Sequence, residues 1–349
     1  MQILAIDLGK FKSVACLFDT DRQEAQYKTI STTAAAIEQL LHQTQPNKVV
    51  IETCTISGWV YDLCQGQGYA VVVANPSNEA WQWRNVKRKT DKDDGLKLAK
   101  LEALGQIDPV HMPTQQMREY RRLVKYRKVL VGRVNQIKNS IRALLDAHGK
   151  SLSSGNKAWT QAGMEQLESY RKSYAECSLE ELWRGELDVE LTLLDSLWQQ
   201  RARVDQQLEA MAKQDERVQR LMTIPGVGRR TAEVIATMID DPHRFEHGRQ
   251  VSAYAGLVPE QRQSGQTNRL GAITKRGSRL LRGALVEIAW MLLRYNPWAL
   301  TVYQRIYAGQ KTRKKTAIVA VARKLLVCCW AMLKHKQDWN PPLVAATST

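Results

Sequence analysis

Short apolar and β-branched runs separated by turn formers fill the first hundred residues. Gln2–Leu8 and Lys12–Phe18 predict an antiparallel hairpin about Gly9-Lys10, and Glu24–Ser31 predicts a third strand leading to a helix over Thr33–Thr44. Lys48–Glu52 reads as a buried strand, Gly58–Gln65 as a helix, and Tyr69–Ala74 as another strand, closed by Asn75-Pro76. Lys89-Thr90-Asp91 then opens a helix reaching about Gly105, with Thr90 or Asp91 as its N-cap.

From Tyr120 the period changes. Tyr120, Leu123, Leu130, Val134, Ile137, Ile141 and Leu144 form a coiled-coil-like seam, broken by Arg127 where another apolar residue would sit. Gly149–Gly163 reads as a loop. A second long helix follows, with Leu197, Val204, Met211 and Val218 seven apart and Leu187, Leu194, Leu208 and Met222 on the adjacent row. Two seams bracketing one loop predict an antiparallel helical arm or a dimerisation coiled coil. Past Ile224 the pattern predicts a compact helical domain, then an irregular tail over Asp338–Thr349.

Strand, strand, strand, helix, strand, helix, strand is the order of a ribonuclease-H-like mixed sheet. The expected fold class is therefore α/β plus α: a sheet domain over 1–113, a helical arm over 114–222, a helical domain over 223–337 and a tail over 338–349. Lys and Arg total 51 against 35 Asp and Glu, a formal charge of +16 that suits a polyanionic partner. Nucleic acid is the expected one. A membrane is not expected, because Glu287 and Arg323-Lys324 interrupt the late apolar stretches Ala284–Leu293 and Ala317–Leu333. The start lacks a basic n-region and carries Asp7 within its apolar run, so no signal peptide is expected and the expected address is cytoplasmic, at the nucleoid. Six cysteines without a CxxC pair or a histidine at zinc spacing read as reduced thiols.

Three constellations carry chemistry. Asp7 and Glu52 end two strands, and Asp91 and Asp94, three apart, share one face of the next helix; four such carboxylates can hold hard divalent cations. Asp93 is the rival for Asp94, on a side chain expected to point away from Asp91. Pro225-Gly226-Val227-Gly228 followed by Arg229-Arg230 reads as a helix-hairpin-helix turn against a phosphate backbone, the glycines exposing N–H groups. Ser264, before Gly265 and among Arg262, Arg269, Lys275 and Arg276, is a candidate nucleophile, although Ser-Gly taken alone is usually a turn. The segment Arg118–Arg142 adds nine cations, among them Arg118, Arg121, Arg122, Lys125 and Lys128, against the single acid Glu119, and reads as a nucleic-acid-binding face.

These pieces, in this order, resemble the insertion-sequence-110 family of transposases, which join a RuvC-like DEDD domain to a serine-bearing transposase domain. The matching motifs are Ile6-Asp7, Ile51-Glu52, Asn75-Pro76, Lys89-Thr90-Asp91-Lys92-Asp93-Asp94, Pro225-Gly226-Val227-Gly228, Gly256-Leu257-Val258-Pro259, and Ser264-Gly265 with Gly271-Ala272-Ile273-Thr274-Lys275-Arg276-Gly277. They span roughly residues 1–290. Gly95 stands where the family usually has alanine, which would loosen the helix carrying Asp94, and Gln263 stands where a second serine is common. The resemblance implies that Asp7, Glu52, Asp91 and Asp94 bind Mg²⁺ and that Ser264 attacks a DNA phosphate, giving a phosphoserine intermediate and then a Holliday junction. It further implies an element-encoded noncoding guide RNA paired with donor and target DNA, and a homodimer to homotetramer in which one subunit's serine can meet another's acids. The alternative left open is a structure-selective endonuclease using metal-activated water, with Ser264 structural. Asp7-Leu8-Gly9-Lys10 also resembles the phosphate-binding start of actin-like kinases, but no further nucleotide-binding glycine motif precedes Asp91.

Overall fold

The computed structural model describes residues 1–75, 90–264 and 267–341. Pro76, Lys89, Gly265, Gln266 and the tail from 342 lie outside the described residues, as do the side chains of Arg262, Ser264 and Thr267. The chain divides into two compact units, Met1–Arg118 and Glu119–Thr349.

In the first unit, β1 (Gln2–Asp7), β2 (Lys12–Asp19), β3 (Glu24–Ser31), β4 (Lys48–Glu52) and β5 (Ala70–Ala74) form one sheet in the order β3-β2-β1-β4-β5. The first three strands are antiparallel, whereas β4 runs parallel to β1 and β5 parallel to β4. This mixed sheet fits the ribonuclease-H-like expectation. Alternation sorts the side chains to two faces. Leu4, Ile6, Val49, Ile51 and Val73 pack under α1 (Ala34–Thr44) and α2 (Ser57–Gly66) through Ile37, Leu40, Leu41, Val60 and Cys64. Ile3, Ala5, Cys16, Phe18 and Val50 pack under α3 (Asp91–Ala103) through Leu98 and Ala99. Gly95 brings α3 close to the sheet: a Cβ there would lie 3.2 Å from the Cβ of Cys16. It is thus a contact glycine as well as a weak helix former.

In the second unit, α4 (Gln115–Ala147) enters from the first, and α6 (Leu182–Gln214) runs antiparallel to it. Three pairs fix the direction: Arg127 with Asp205, Lys138 over Trp198, and His148 stacked on Trp183. Val134, Ile141 and Leu145 meet Leu187, Leu191 and Leu194, with Leu167 of α5 (Gln161–Tyr170) completing this core. The stretch read as a loop thus contains the start of α5, and the apolar row of α6 runs through Leu187, Leu191 and Leu194. Arg127, the break in the seam, meets an acid at the matching level of α6.

The remainder is α7 (Glu216–Met222), α8 (Arg229–Ile239), α9 (Gly248–Tyr254), the antiparallel pair β6 (Pro259–Ser264) and β7 (Thr267–Ile273), α10 (Arg279–Tyr295), α11 (Pro297–Tyr307) and α12 (Lys314–His335). The β-hairpin corrects the expectation of a purely helical domain. Lys311–His335 has the length and hydropathy of a membrane span despite Arg323-Lys324, so those two cations do not exclude one as the sequence reading supposed. In the structure 56% of that window is buried, with Ile318, Val321, Leu325 and Leu326 in the helical core.

Candidate active site and nucleic-acid interface

Asp7 and Glu52 occupy corresponding ends of neighbouring parallel strands, one step beyond the Ile6–Ile51 pair. Parity puts Asp7 on the face of Ile3 and Ala5, and Glu52 on the face of Val50. Both therefore belong to the α3 face. Contacts along α3 give its direction: Lys48 bonds Glu102 at 2.7 Å, Lys100 lies over Phe18, and Gly95 abuts Cys16, the register partner of Ala5. Stepping back one helical turn from Gly95 advances about 5.4 Å toward the carboxyl ends of β1 and β4, close to the rise of two strand residues from Ala5 to Asp7. The amino end of α3, with Asp91 and Asp94, is thereby level with Asp7 and Glu52.

Capping separates the rival acids. Thr90 is the N-cap of α3: its hydroxyl accepts from the Asp93 N–H at 3.3 Å, and the Asp93 carboxylate accepts from the Thr90 N–H at 3.1 Å and hydroxyl at 2.6 Å. Asp93 is held by this reciprocal box. Asp91 and Asp94 instead fall toward the buried row of Gly95 and Leu98. Asp7, Glu52 and Asp94 are half-buried and Asp91 is exposed. Among the described residues no three acidic, histidine or cysteine side chains are gathered into a ready cation site. The four carboxylates share one face and one end of the sheet and offer the hard oxygen donors that suit Mg²⁺, which is a fit of chemistry and placement and not a formed ligand shell.

Ser264 is the last residue of β6, where the backbone pairs with Thr267 across the Gly265-Gln266 connection. Gln261, Gln263, Asn268, Arg269 and Leu270 are exposed, so this part of the hairpin has little apolar core of its own. Its root is fixed by backbone crossing backbone. A Cβ on Gly256 would lie 2.1 Å from the Arg276 carbonyl oxygen, and one on Gly277 would lie 2.0 Å from that of Tyr254. Thr274 N–H donates to Val258 at 2.9 Å, Lys275 N–H to Gly256 at 3.2 Å, and the Arg282 guanidinium to the Ala255 carbonyl at 3.1 Å. The Gly-Leu-Val-Pro and Ile-Thr-Lys-Arg-Gly motifs thus build the clamp beneath the hairpin.

The cations expected to contact nucleic acid separate into two groups. Arg118 is turned inward within the first unit, paired with Asp62 and donating to the Pro113 carbonyl at 2.5 Å. Arg121 donates at 2.5 Å to Thr237 and at 3.4 Å to Met238, whose carbonyls end α8, and burial pulls its pKa below the usual arginine value. Arg229 pairs with Glu209 at 3.1 Å, and Arg230 with Asp205 at 2.6 Å and with buried Glu233 at 2.9 Å. These four are structural struts, because each replaces hydration with a nearby carboxylate or carbonyl. Arg122, Lys125, Lys128, Arg269, Lys275 and Arg276 are exposed. Gly226 has φ +91 and packs against α10, where a Cβ would meet Leu292 at 3.0 Å, while Gly228 caps α8 without a side-chain bond. Arg229 and Arg230, which had favoured a phosphate turn, are therefore occupied elsewhere. Helical spacing offered a clue, since Glu233 lies four and three residues beyond them; Asp205 and Glu209 lie too far along the chain for any local pattern to find. Arg127, Lys128, Arg230 and Arg279 also border a groove of about 670 Å³ floored by Val234, Gly283 and Ala284.

Comparison with known proteins draws the two units together. A DEDD transposase description of the IS110 type matches residues 4–150, and the description "Transposase IS116/IS110/IS902 family" matches residues 218–304. The chain is 28% identical to a "Probable family 20 transposase" of Pseudomonas aeruginosa over 98% of this chain and 100% of that protein. It is 28% identical to the "Transposase for insertion sequence element IS1111A" of Coxiella burnetii, over 97% and 92% of the two chains. A "Pilin gene-inverting protein" of Moraxella lacunata is 30% identical over 42% of this chain and 46% of its own. With both domain types in this order along the sequence, the chain belongs to the IS110/IS116/IS902 family of transposases and acts in DNA recombination.

Proposed function

We propose that this transposase recombines DNA through a phosphoserine intermediate formed by Ser264, with Asp7, Glu52, Asp91 and Asp94 holding Mg²⁺. The observation that carries the reading is the common level and face of the four acids, at the end of the sheet where the amino terminus of α3 lies. When bound, the cation would polarise the phosphate and offset charge on the leaving oxygen. Asp7 and Glu52 supply ligands from rigid strands, and the Thr90–Asp93 box keeps Asp93 out of the ligand set while fixing the first turn that carries Asp91 and Asp94. Ser264 Oγ forms a bond to phosphorus as the bond from phosphorus to one sugar oxygen breaks; the serine hydroxyl gives up a proton, and the released sugar oxygen takes one up to leave as a hydroxyl. One phosphodiester becomes another, so the energy needed for rejoining is retained.

The name of the pilin gene-inverting relative supports strand exchange between sites over simple hydrolysis. The domain division is read as a RuvC-like domain over 1–113, a helical arm over 114–222, a transposase domain over 223–337 and a tail over 338–349. A noncoding guide RNA reads donor and target DNA by base pairing, which suits a protein rich in backbone-binding cations. Assembly is from homodimer to homotetramer, in the cytoplasm at the nucleoid. The deciding experiment incubates the protein, Mg²⁺, copurified RNA and labelled donor DNA, then traps covalent protein–DNA adduct in denaturant. Wild type is expected to give adduct and Ser264→Ala none, with RNA retained. Cleavage by Ser264→Ala without adduct would replace this reading with a water-using endonuclease.

A further inference from the structure

A second charged surface lies on α10, α11 and the start of α12, beyond the motifs discussed above. From Ile288 to Gln337 the chain carries ten Lys and Arg and no Asp or Glu. Four of these cations crowd into Lys311-Thr312-Arg313-Lys314-Lys315, all exposed, at the amino end of α12. No side chain caps that helix, and its first turn has no acid. Positive side chains therefore sit where the helix dipole is also positive, an arrangement that an external anion would relieve.

The neighbouring aromatic residues narrow the identity of that anion. Tyr303 and Tyr307 stack at 5.3 Å with their planes 15° apart, Trp290 stands 6.4 Å from Tyr303, and Lys314 lies 5.4 Å from the Trp290 ring centre. Trp290 is 39% exposed, a large apolar surface to leave in water on a helix with a well-filled core. Flat rings beside cations that form no ion pair among the described residues take nucleotides whose bases are unstacked: the rings receive base planes and the cations receive phosphates. A lipid surface also receives Trp, Tyr and cations, but it needs an apolar face to insert, and Ile318, Val321, Leu325 and Leu326 of α12 are already buried in the helical core; a duplex keeps its base planes hidden. The cation cluster also lies beyond residue 304, where the family match ends.

We infer that Trp290, Tyr303 and Tyr307, with Lys311, Arg313 and Lys314, form a platform for an unpaired nucleic-acid strand. The inference rests on the proposed nucleic-acid partnership, but not on the serine chemistry. The source is either an unpaired stretch of RNA or a displaced DNA strand.

The test uses the full-length Ser264→Ala protein in EDTA, so that neither adduct formation nor metal affects the reading. Fluorescence anisotropy measures binding of fluorescent single-stranded RNA, single-stranded DNA and a blunt DNA duplex. Trp290→Ala is expected to weaken single-strand binding about tenfold while leaving the duplex unchanged. Replacing Lys311, Arg313, Lys314 and Lys315 by Gln removes only exposed groups, and is expected to reduce the salt dependence of single-strand binding by up to about 0.7 per lost phosphate contact. Stronger binding of RNA or of DNA names the strand, and either outcome supports the platform. Unchanged single-strand binding in both variants, or an equal loss on the duplex, overturns it. Failure of the adduct experiment with these results intact would sink only the serine mechanism.

Discussion

Replacing Gly277 with alanine would place a methyl group 2.0 Å from the Tyr254 carbonyl oxygen, at a residue whose φ is +97. Carbon and oxygen without a bond rest at about 3.2 Å, so the two backbones must part by roughly 1 Å. The left-handed conformation costs about 1 kcal/mol for a residue with Cβ. Parting also stretches the Thr274–Val258 and Lys275–Gly256 hydrogen bonds, each worth about 1 kcal/mol. The local cost is then about 3 kcal/mol, enough to shift an opening equilibrium by roughly a hundredfold. Because Gln261, Gln263 and Asn268–Leu270 are exposed, the hairpin can detach while the helical core stays folded. Amide exchange across Val258–Thr274 and trypsin cleavage after Arg269 should accelerate by up to about a hundredfold, with a much smaller change in global unfolding. Adduct formation should fall alongside. Native-like exchange in Gly277→Ala would refute the clamp.

The internal and external arginines should behave oppositely. Arg122→Gln and Lys125→Gln should each lower the salt dependence of duplex binding by about 0.9, whereas Arg121→Gln should destabilise the protein by about 2 kcal/mol in urea by leaving the Thr237 and Met238 carbonyls poorly partnered; a reversal of these effects would invalidate the sorting. Asp205→Ala removes the acid shared by Arg127 and Arg230 and should cost about 2–3 kcal/mol, a loss that Arg127→Leu in the same chain should partly recover by completing the apolar seam. Burial pushes the Cys16 and Cys64 thiols up to about 11. They remain protonated in the fold after the unfolded chain has begun to ionise near its usual value, so stability should fall between about pH 9 and pH 11 by roughly 2–3 kcal/mol each. Alkaline denaturation of Cys16→Ser,Cys64→Ser should lack that slope, and at pH 8 iodoacetamide should modify exposed Cys54 first.

The mixed sheet was legible because each strand carries its own signal. Val49, Val50 and Ile51 form a β-branched run, and Leu4, Ala5 and Ile6 lead directly to Asp7. The places of Asp7 and Glu52 were legible for the same reason, since a residue ending a strand can be placed from the strand alone. The hairpin β6–β7 had no such signal: Glu260, Gln261, Arg262 and Gln263 form a polar strand stabilised by its partner and root, with no apolar alternation to mark it. The struts were illegible for a different reason. Arg127 and Asp205 lie 78 residues apart, and no helical period joins them until α4 and α6 lie side by side.

Net charge measures the possible attraction of a polyanion, but not where it acts, because an arginine already held by a carboxylate has lost much of its field. Arg118, Arg121, Arg127, Arg229 and Arg230 each have such a partner, although several belong to the most basic-looking segments. Exposed cations remain, among other places, on α4, on the hairpin and its root, and at the start of α12. Backbone phosphates can engage such sites without any base-specific motif. On the proposed mechanism, with sequence read by paired RNA, the protein's own side chains would supply a grip on strands, a rigid set of acids and a hydroxyl. In this chain the grip and the acids belong to different elements, so loss of surface cations should weaken binding without dismantling the chemistry.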